Sequence, residues 1–180
     1  FLGCWILSAI RADDPFGSFL GGLIGLEDIE VLRWFGALEM TRVWRDQQWW
    51  RVATTGLLHG SALHVGLNMV GLVSLGRWLE RAVGGWRFGL LFGLSSIGGC
   101  LASLAWAESG VVVGASAGIF GLAGAMILWR TVGPEQWRRR LEPISAKRLS
   151  FFVGLWLVIG WVWPSLGSGR AILAQAGHVG

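Results

Sequence analysis

Long apolar blocks separated by short polar segments dominate the chain. Four blocks approach the roughly 20 residues that a helix needs to cross a bilayer; they are residues 55–79, 88–106, 111–129 and 149–163. Residues 1–10 and 171–180 are interpreted as the end of a first helix and the start of a last one, both truncated in this chain. Residues 11–54 mix polar and apolar positions, which predicts an external loop lying partly in the membrane interface. The pattern predicts one domain over residues 1–180, an all-α polytopic membrane bundle of six transmembrane helices.

Composition and charge placement support this prediction. Only 14% of the residues are charged and 53% are hydrophobic, whereas soluble domains carry about 25% charged residues. Nine of the 15 Lys and Arg residues lie beside two short segments, between the second and third spans and between the fourth and fifth. These segments should face the cytoplasm. Because the basic residues flank apolar spans and form no stripe, no nucleic-acid partner is expected.

Polar side chains inside apolar spans are costly and therefore point to function. His64 and Asn68 are four residues apart and share one face of the second span, and His59 lies near its outer end. The fourth span contains Gly114-Ala-Ser116-Ala-Gly-Ile-Phe120-Gly, and His178 opens the last one. Neutral imidazole is the usual activator of a serine hydroxyl, so Ser116 and His178 are candidates for acyl transfer.

Two other chemistries are less favoured by the residues. His59 and His64 point about 140° apart on a helix, and no acidic or cysteine ligand accompanies them, so no metal and no cofactor are expected. The string around Ser116 also fits the Gly-x-Ser-x-Gly elbow of soluble hydrolases. That elbow needs a strand and a parallel sheet, which the apolar blocks do not predict.

Three motifs, taken together and in this order, resemble the signatures of rhomboid proteases. They are His59-Gly-Ser-Ala-Leu-His64-Val-Gly-Leu-Asn68, then the Gly114 to Phe120 string, then Gly177-His178-Val-Gly180. Trp50-Arg51 in the first loop and Glu80 after the second span fit the same resemblance, which runs from about residue 36 to the end of the chain.

The resemblance implies a serine endopeptidase that cuts transmembrane segments of membrane proteins with a serine-histidine dyad. By position, Ser116 is the nucleophile and His178 the general base, while His64, Asn68 and the Ser116 amide bind the oxyanion. Phe120 takes the place of an aromatic ring stacked on the imidazole. The resemblance gives supporting roles to His59, Trp50, Arg51 and Glu80, and Gly114 belongs to the same motif.

One departure from the family pattern and two rival functions need weighing. Ala117 follows Ser116 where glycine is commoner in the family, which narrows the space expected near the nucleophile. A rhomboid-like protein that binds membrane clients without cutting them is one rival, and a transporter or channel is the other.

The expected partners are transmembrane protein substrates and the lipid bilayer. The expected location is a bacterial plasma membrane, with an organelle membrane as the alternative; the sequence predicts neither the oligomeric state nor the natural substrate.

Overall fold

The computed structural model describes residues 2–24, 28–106, 110–145, 147, 149–151 and 153–155. Most of these residues are helical. The α-helices in this described part are α1 Leu2–Arg11, α2 Pro15–Ile24, α3 Ile29–Phe35, α4 Met40–Trp44, α5 Arg51–Thr54, α6 Ala62–Val83, α7 Gly85–Trp106, α8 Ser116–Val132 and α9 Glu135–Leu141. A 3-10 turn, Thr55–Leu57, follows α5. Residues 149–151 and 153–155 are also helical. The prediction of an all-α helical bundle is confirmed.

One described helix, α7, is long and apolar enough by itself to cross a membrane. Two further spans result if each bent pair is counted as one: α5 with its 3-10 turn and α6, bent by 92°, and α8 with α9, bent by 117°. On α7 the exposed side chains include Leu90, Leu94, Ile97 and Leu101. They recur at spacings of three and four residues, so one apolar face of α7 remains available to lipid.

The helix α6 begins later and ends later than the apolar block that predicted it. Ser61 caps it, because the Ser61 hydroxyl accepts a hydrogen bond from the His64 N–H at 3.1 Å. The preceding residues form α5, the 3-10 turn and an extended link instead of a continuous span from residue 55. At its other end α6 continues to Val83, and Gly84, with φ 89°, makes the turn into α7. The predicted loop between the second and third spans is therefore a single residue.

The helix α8 likewise begins at Ser116 and not at residue 111. Val111–Val112 form β2, which pairs antiparallel with β1, Leu38–Glu39. β-branched residues favour this extended form, and Gly114 then adopts φ 116°, a conformation that only glycine takes easily. The first residues of the predicted span 111–129 are therefore a strand and a turn and not helix. Together they join the first loop to the residues that lead into Ser116.

The largest buried cluster, here called the inner core, joins α6, α8 and α9 to the residues after them. It contains Leu75, Leu79, Ala82, Val83, Ala115, Ile119, Leu122, Ala123, Met126, Leu141 and Leu149. A second cluster lies under the first loop and contains Cys4, Val31, Leu32, Ala37, Leu58 and Val111. The first loop therefore has a core of its own, and it packs against the strand that precedes Ser116.

Candidate active site

Ser116 is the first residue of α8 and is half-buried. The hydrogen bonding of the helix begins with the Ile119 N–H, which donates to the Ala115 carbonyl at 3.2 Å. The first N–H groups of a helix have no acceptor within it and carry the positive end of its dipole. The Ser116 amide is therefore at a place where negative charge on a bound carbonyl oxygen is favoured.

A small cavity lies beside Ser116 between α6 and α8. Asn68 and Phe120 line it together with Ser116, and the remaining lining is apolar, from Leu75, Ile119, Ala123 and Val153. The structure thus brings together three residues that the sequence placed on two separate spans. Residues that carry a hydroxyl and an amide thus border the cavity, and the surface that faces into it is apolar, which suits an apolar chain.

The absence of a side chain at Gly114 lets the His64 ring lie close to the turn before Ser116. A Cβ atom on Gly114 would lie 2.8 Å from both Cε1 and Nε2 of His64, and 3.8 Å from Nδ2 of Asn68. The imidazole therefore occupies the space that any other residue at position 114 would fill. Together with φ 116°, this contact makes glycine necessary here for two independent reasons.

The hydrogen bonds of His64 define which of its nitrogens can donate. The Gly60 N–H donates to His64 Nδ1 at 3.4 Å. In the neutral ring the proton is then on Nε2, the atom next to Gly114. Asn68 Nδ2 donates one hydrogen bond to the His64 carbonyl at 3.0 Å. An amide nitrogen carries two protons, and this hydrogen bond uses one of them.

His59 lies behind His64 and not in the cavity. Its ring meets the His64 ring edge to face, with centroids 5.0 Å apart and an interplanar angle of 75°. His59 is 4% exposed. Within the part of the chain that the structure describes, both of its ring nitrogens and Asn68 Oδ1 are buried without a hydrogen-bond partner. Such atoms are uncommon in folded proteins, and three of the five found in the described residues lie here, the other two being Ser8 Oγ and Arg33 Nε.

Thr55 is a further residue of this region that the sequence did not indicate. Its carbonyl accepts from the Gly114 N–H at 3.1 Å, and its hydroxyl oxygen accepts from the Leu38 N–H at 3.2 Å. The hydroxyl also donates to the Val112 carbonyl. Thr55 therefore joins both strands to the turn before Ser116. In the sequence it is one more small residue at the start of an apolar block, with no spacing that marks it.

Trp50 and Arg51 lie in the first loop, away from the cavity. Arg51 is buried and donates to the carbonyls of Arg33 and Ala37 at 2.7 and 2.9 Å, and its Nε donates to Gln48 Oε1 at 2.7 Å. Its guanidinium carbon lies 4.7 Å from the ring centre of the exposed Trp50. Arg51 thus connects α5 to the end of α3 and to the residue before β1, and Trp50 packs on its guanidinium group.

Glu80 lies far from Ser116 in the described part of the chain. Glu80 is exposed in the last turn of α6, and twelve residues separate it from Asn68, about 18 Å along a helix. His178 lies outside the described residues. Among the residues that the structure does describe, no group of three His, Cys, Asp or Glu side chains is placed to hold a metal ion.

Comparisons with known proteins match the sequence of this chain to one family. The family model described as "Rhomboid domain" matches residues 46–180. RHOMBOID-like protein 4 of Arabidopsis thaliana is 33% identical over 127 residues, which are 65% of this chain and 32% of that protein. Rhomboid protease GluP of Bacillus subtilis (strain 168) is 35% identical over 103 residues, 57% of this chain and 20% of that protein.

A relative with a different description also matches. Inactive RHOMBOID-like protein 8 of Arabidopsis thaliana is 26% identical over 123 residues, 68% of this chain and 34% of that protein. The chain spans about a third or less of the length of the three relatives described here. No solved structure matches it.

Proposed function

Because the chain belongs to the rhomboid family, whose members are generally intramembrane serine proteases, we propose that it is an intramembrane serine endopeptidase. The observation that carries the proposal is the cavity that Ser116 shares with Asn68, with the His64 ring beside Gly114. Ser116 at the start of α8 and Asn68 of α6 border this cavity, and His64 of α6 lies beside Gly114, two residues before Ser116. The apolar walls suit a substrate segment that enters from lipid.

In the proposed reaction the Ser116 hydroxyl oxygen attacks the carbonyl carbon of the scissile peptide bond. His178 takes the hydroxyl proton and then gives it to the leaving amine, so that an acyl ester and a free amine form. Water attacks the ester with His178 again as the base, which releases the carboxylic acid and restores the serine.

The oxyanion of the tetrahedral intermediate needs donors aimed at it before the reaction begins. We assign this role to His64 Nε2–H, the second Asn68 Nδ2–H and the Ser116 amide. All three groups belong to rigid helical segments, so little reorganisation is needed when charge develops. The carbonyl oxygen that accepts them is the one attacked by Ser116.

The second candidate function is the binding of membrane clients without cleavage. The match to Inactive RHOMBOID-like protein 8 favours it, because the rhomboid fold is thus shared with a protein described as inactive. The presence of Ser116 and His178 in the sequence favours the protease.

Cleavage of a model transmembrane substrate by the full-length protein in liposomes tests the proposal. We expect a single cut, lost in Ser116→Ala and in His178→Ala, and labelling by a serine-directed fluorophosphonate that Ser116→Ala abolishes. Ser74→Ala is the matched control, since Ser74 is an exposed serine of α6 away from the cavity. A wild-type protein that neither labels nor cuts several substrates, but still captures them, would support the client-binding function instead.

The proposed partners are transmembrane substrates and the lipid bilayer, and the proposed compartment is a bacterial plasma membrane. The relatives come from a bacterium and a plant, so an organelle membrane is the alternative. Orientation is testable by replacing Cys4 and Cys100, the only cysteines, and introducing Arg139→Cys on α9. We expect a membrane-impermeant thiol reagent to label position 139 from the cytoplasmic side alone.

A further inference from the structure

Small residues meet face to face where α7 crosses α8. Ser96 and Phe92 of α7 lie against Gly118, where a Cβ atom would come within 2.5 Å of the Ser96 hydroxyl oxygen and 2.6 Å of a Phe92 ring carbon. One turn later on α7, the same crossing brings Gly99 against Ala117, the residue before Gly118. A Cβ atom on Gly99 would overlap the Cβ of Ala117, while it would lie 3.7 Å from the Ala117 Cα.

These distances show that one methyl group fills the space between the two backbones at this level. Ala117 supplies it, and Gly99 leaves room for it. A second methyl on Gly99 has no place while Ala117 is present. If residue 117 were glycine, the distance of 3.7 Å to its Cα would be an ordinary van der Waals contact.

The position of this contact on α8 gives it a consequence for the site. Ala117 directly follows Ser116, and successive side chains of a helix point about 100° apart. Ala117 therefore packs on α7 while Ser116 lines the cavity beside α6. The first turn of a helix lacks part of its internal hydrogen bonding. Side-chain contacts such as this one therefore set the distance of the first turn of α8 from α7 and its rotation about the helix axis.

We propose that Gly99 is a positioning residue for Ser116, acting through the methyl group of Ala117. Gly99 and Ala117 form a matched pair in which the space given up by one residue is used by the other. The Ala117 methyl group then occupies space beside α7, so it does not narrow the cavity beside Ser116. This inference rests on the proposed function only for its activity readout.

A double-mutant cycle in the full-length protein tests the pair. Gly99→Ala should push the first turn of α8 away from α7, and a displacement of 1 Å can cost about 100-fold in rate. We therefore expect kcat on a model transmembrane substrate to fall by about 100-fold, with KM within about threefold of the wild-type value, because the rest of the cavity is unchanged. Ala117→Gly leaves a gap and should lower kcat by less than about tenfold.

The decisive variant is Gly99→Ala combined with Ala117→Gly, which returns the single methyl group to the opposite helix. We expect it to recover kcat to within about tenfold of the wild type, well above Gly99→Ala alone. Gly98→Ala is the matched control, because a Cβ on Gly98 would have no neighbour within 4 Å. The unfolding midpoint in detergent is measured for every variant.

Either of two results would contradict the proposed role of Gly99. One is a Gly99→Ala variant with the kcat of Gly98→Ala, and the other is a double variant with a kcat no higher than that of Gly99→Ala. Lower midpoints with unchanged kcat would assign the contact to stability alone and so also overturn the positioning role. A wild-type protein without activity would instead contradict the proposed function. The packing of the pair is then judged by the midpoint, which the second substitution should restore if the two residues share one space.

Discussion

The two ends of the α6–α8 pair differ in whether polar side chains are buried between the helices. At the Ser116 end, His59 and Asn68 are almost fully buried, at 4% and 1% exposure, and three of their polar atoms have no partner among the described residues. At the other end, here called the Arg140 end, the interior consists of side chains such as Leu79, Met126 and Leu141. Polar groups there lie at the surface.

Arginines at the Arg140 end also satisfy helix termini that would otherwise lack partners. Arg140 donates to the Ala82 carbonyl of α6 at 3.0 Å, and Arg130 donates to the carbonyls of Leu141 and Glu142 at 3.3 and 3.2 Å. Glu135 accepts from Arg138 and Arg139. The hydrogen bonds from Arg139, and next those from Arg138, lower the pKa of the Glu135 carboxyl, so it remains charged under ordinary conditions.

This difference separates the residues that serve stability from those that serve chemistry. A buried polar atom without a partner costs about 1–3 kcal/mol, so the Ser116 end reduces the stability of the fold. The apolar Arg140 end must supply that stability. We therefore expect substitutions at the Ser116 end to change activity more than stability, and substitutions at the Arg140 end to do the reverse.

The largest effect on activity among residues not assigned to the chemistry should come from Gly114→Ala. The new Cβ would lie 2.8 Å from the His64 ring in a backbone with φ 116°, so the ring or the turn before Ser116 must move. We expect kcat to fall by at least about 100-fold, the usual loss when one oxyanion donor is removed. Steady-state cleavage in liposomes measures it.

Gly124→Ala is the control for Gly114→Ala. It lies on α8, where a Cβ would have no neighbour within 4 Å, and alanine favours a helix by about 1 kcal/mol over glycine. Its activity should stay close to that of the wild type. Equal losses in both variants would contradict the role given to the His64 contact.

Asn68→Ala should separate activity from stability most clearly. It removes a proposed oxyanion donor, so kcat should fall by about 100- to 1,000-fold. The unfolding free energy should change by less than about 1.5 kcal/mol, because the lost hydrogen bond to the His64 carbonyl is offset by removal of a buried oxygen without a partner. Cleavage rates and denaturant titrations on the same preparation measure both. A large loss of stability with unchanged kcat would make Asn68 a structural residue.

Leu79→Ala tests the Arg140 end. Leu79 lies near the end of α6 and has no exposed surface, and truncation of such a residue costs about 2–5 kcal/mol through lost contacts and a cavity. The rate per folded molecule should remain within about threefold of the wild type, since Leu79 lies eleven residues beyond Asn68 on α6, roughly 16 Å along the helix. Val73→Ala is the control on the same helix, at 47% exposure. A rate loss as large as that of Asn68→Ala would remove the distinction between the two ends.

The sequence predicted the helical class because apolar stretches and residue intervals can be read along a single helix. The expectation that His64 and Asn68 lie near Ser116 rested on the family resemblance and not on spacing. His64 and Asn68 share a face by their interval of four, and α6 and α8 carry apolar stretches long enough to read directly. The sequence placed the start of both helices wrongly, because Ser61, Gly114 and the valine strand at residue 111 interrupt apolar runs without changing their hydropathy.

Contacts between distant segments were out of reach for the same reason. The bond of Gly114 to Thr55 and the fit of Ala117 against Gly99 depend on the depth to which helices pack, which no residue interval encodes. Ala117 was noticed as a departure from a motif, yet its partner on α7 could only be found in three dimensions. The catalytic pairing of Ser116 with His178 remains a prediction, since His178 lies outside the described residues.

The smallest effect should come from Arg140→Gln. The last carbonyls of a helix lack N–H donors within it, and Arg140 donates to those of Ala82 and Arg81. Losing these bonds should lower the unfolding free energy by about 0.5–1.5 kcal/mol, with no change in cleavage rate per folded molecule. Arg139→Gln, whose partner Glu135 lies on the same short helix, should change stability less. If Arg140→Gln slowed cleavage while Arg139→Gln did not, the end of α6 would be coupled to the site through the helix, and the two ends could no longer be treated as independent.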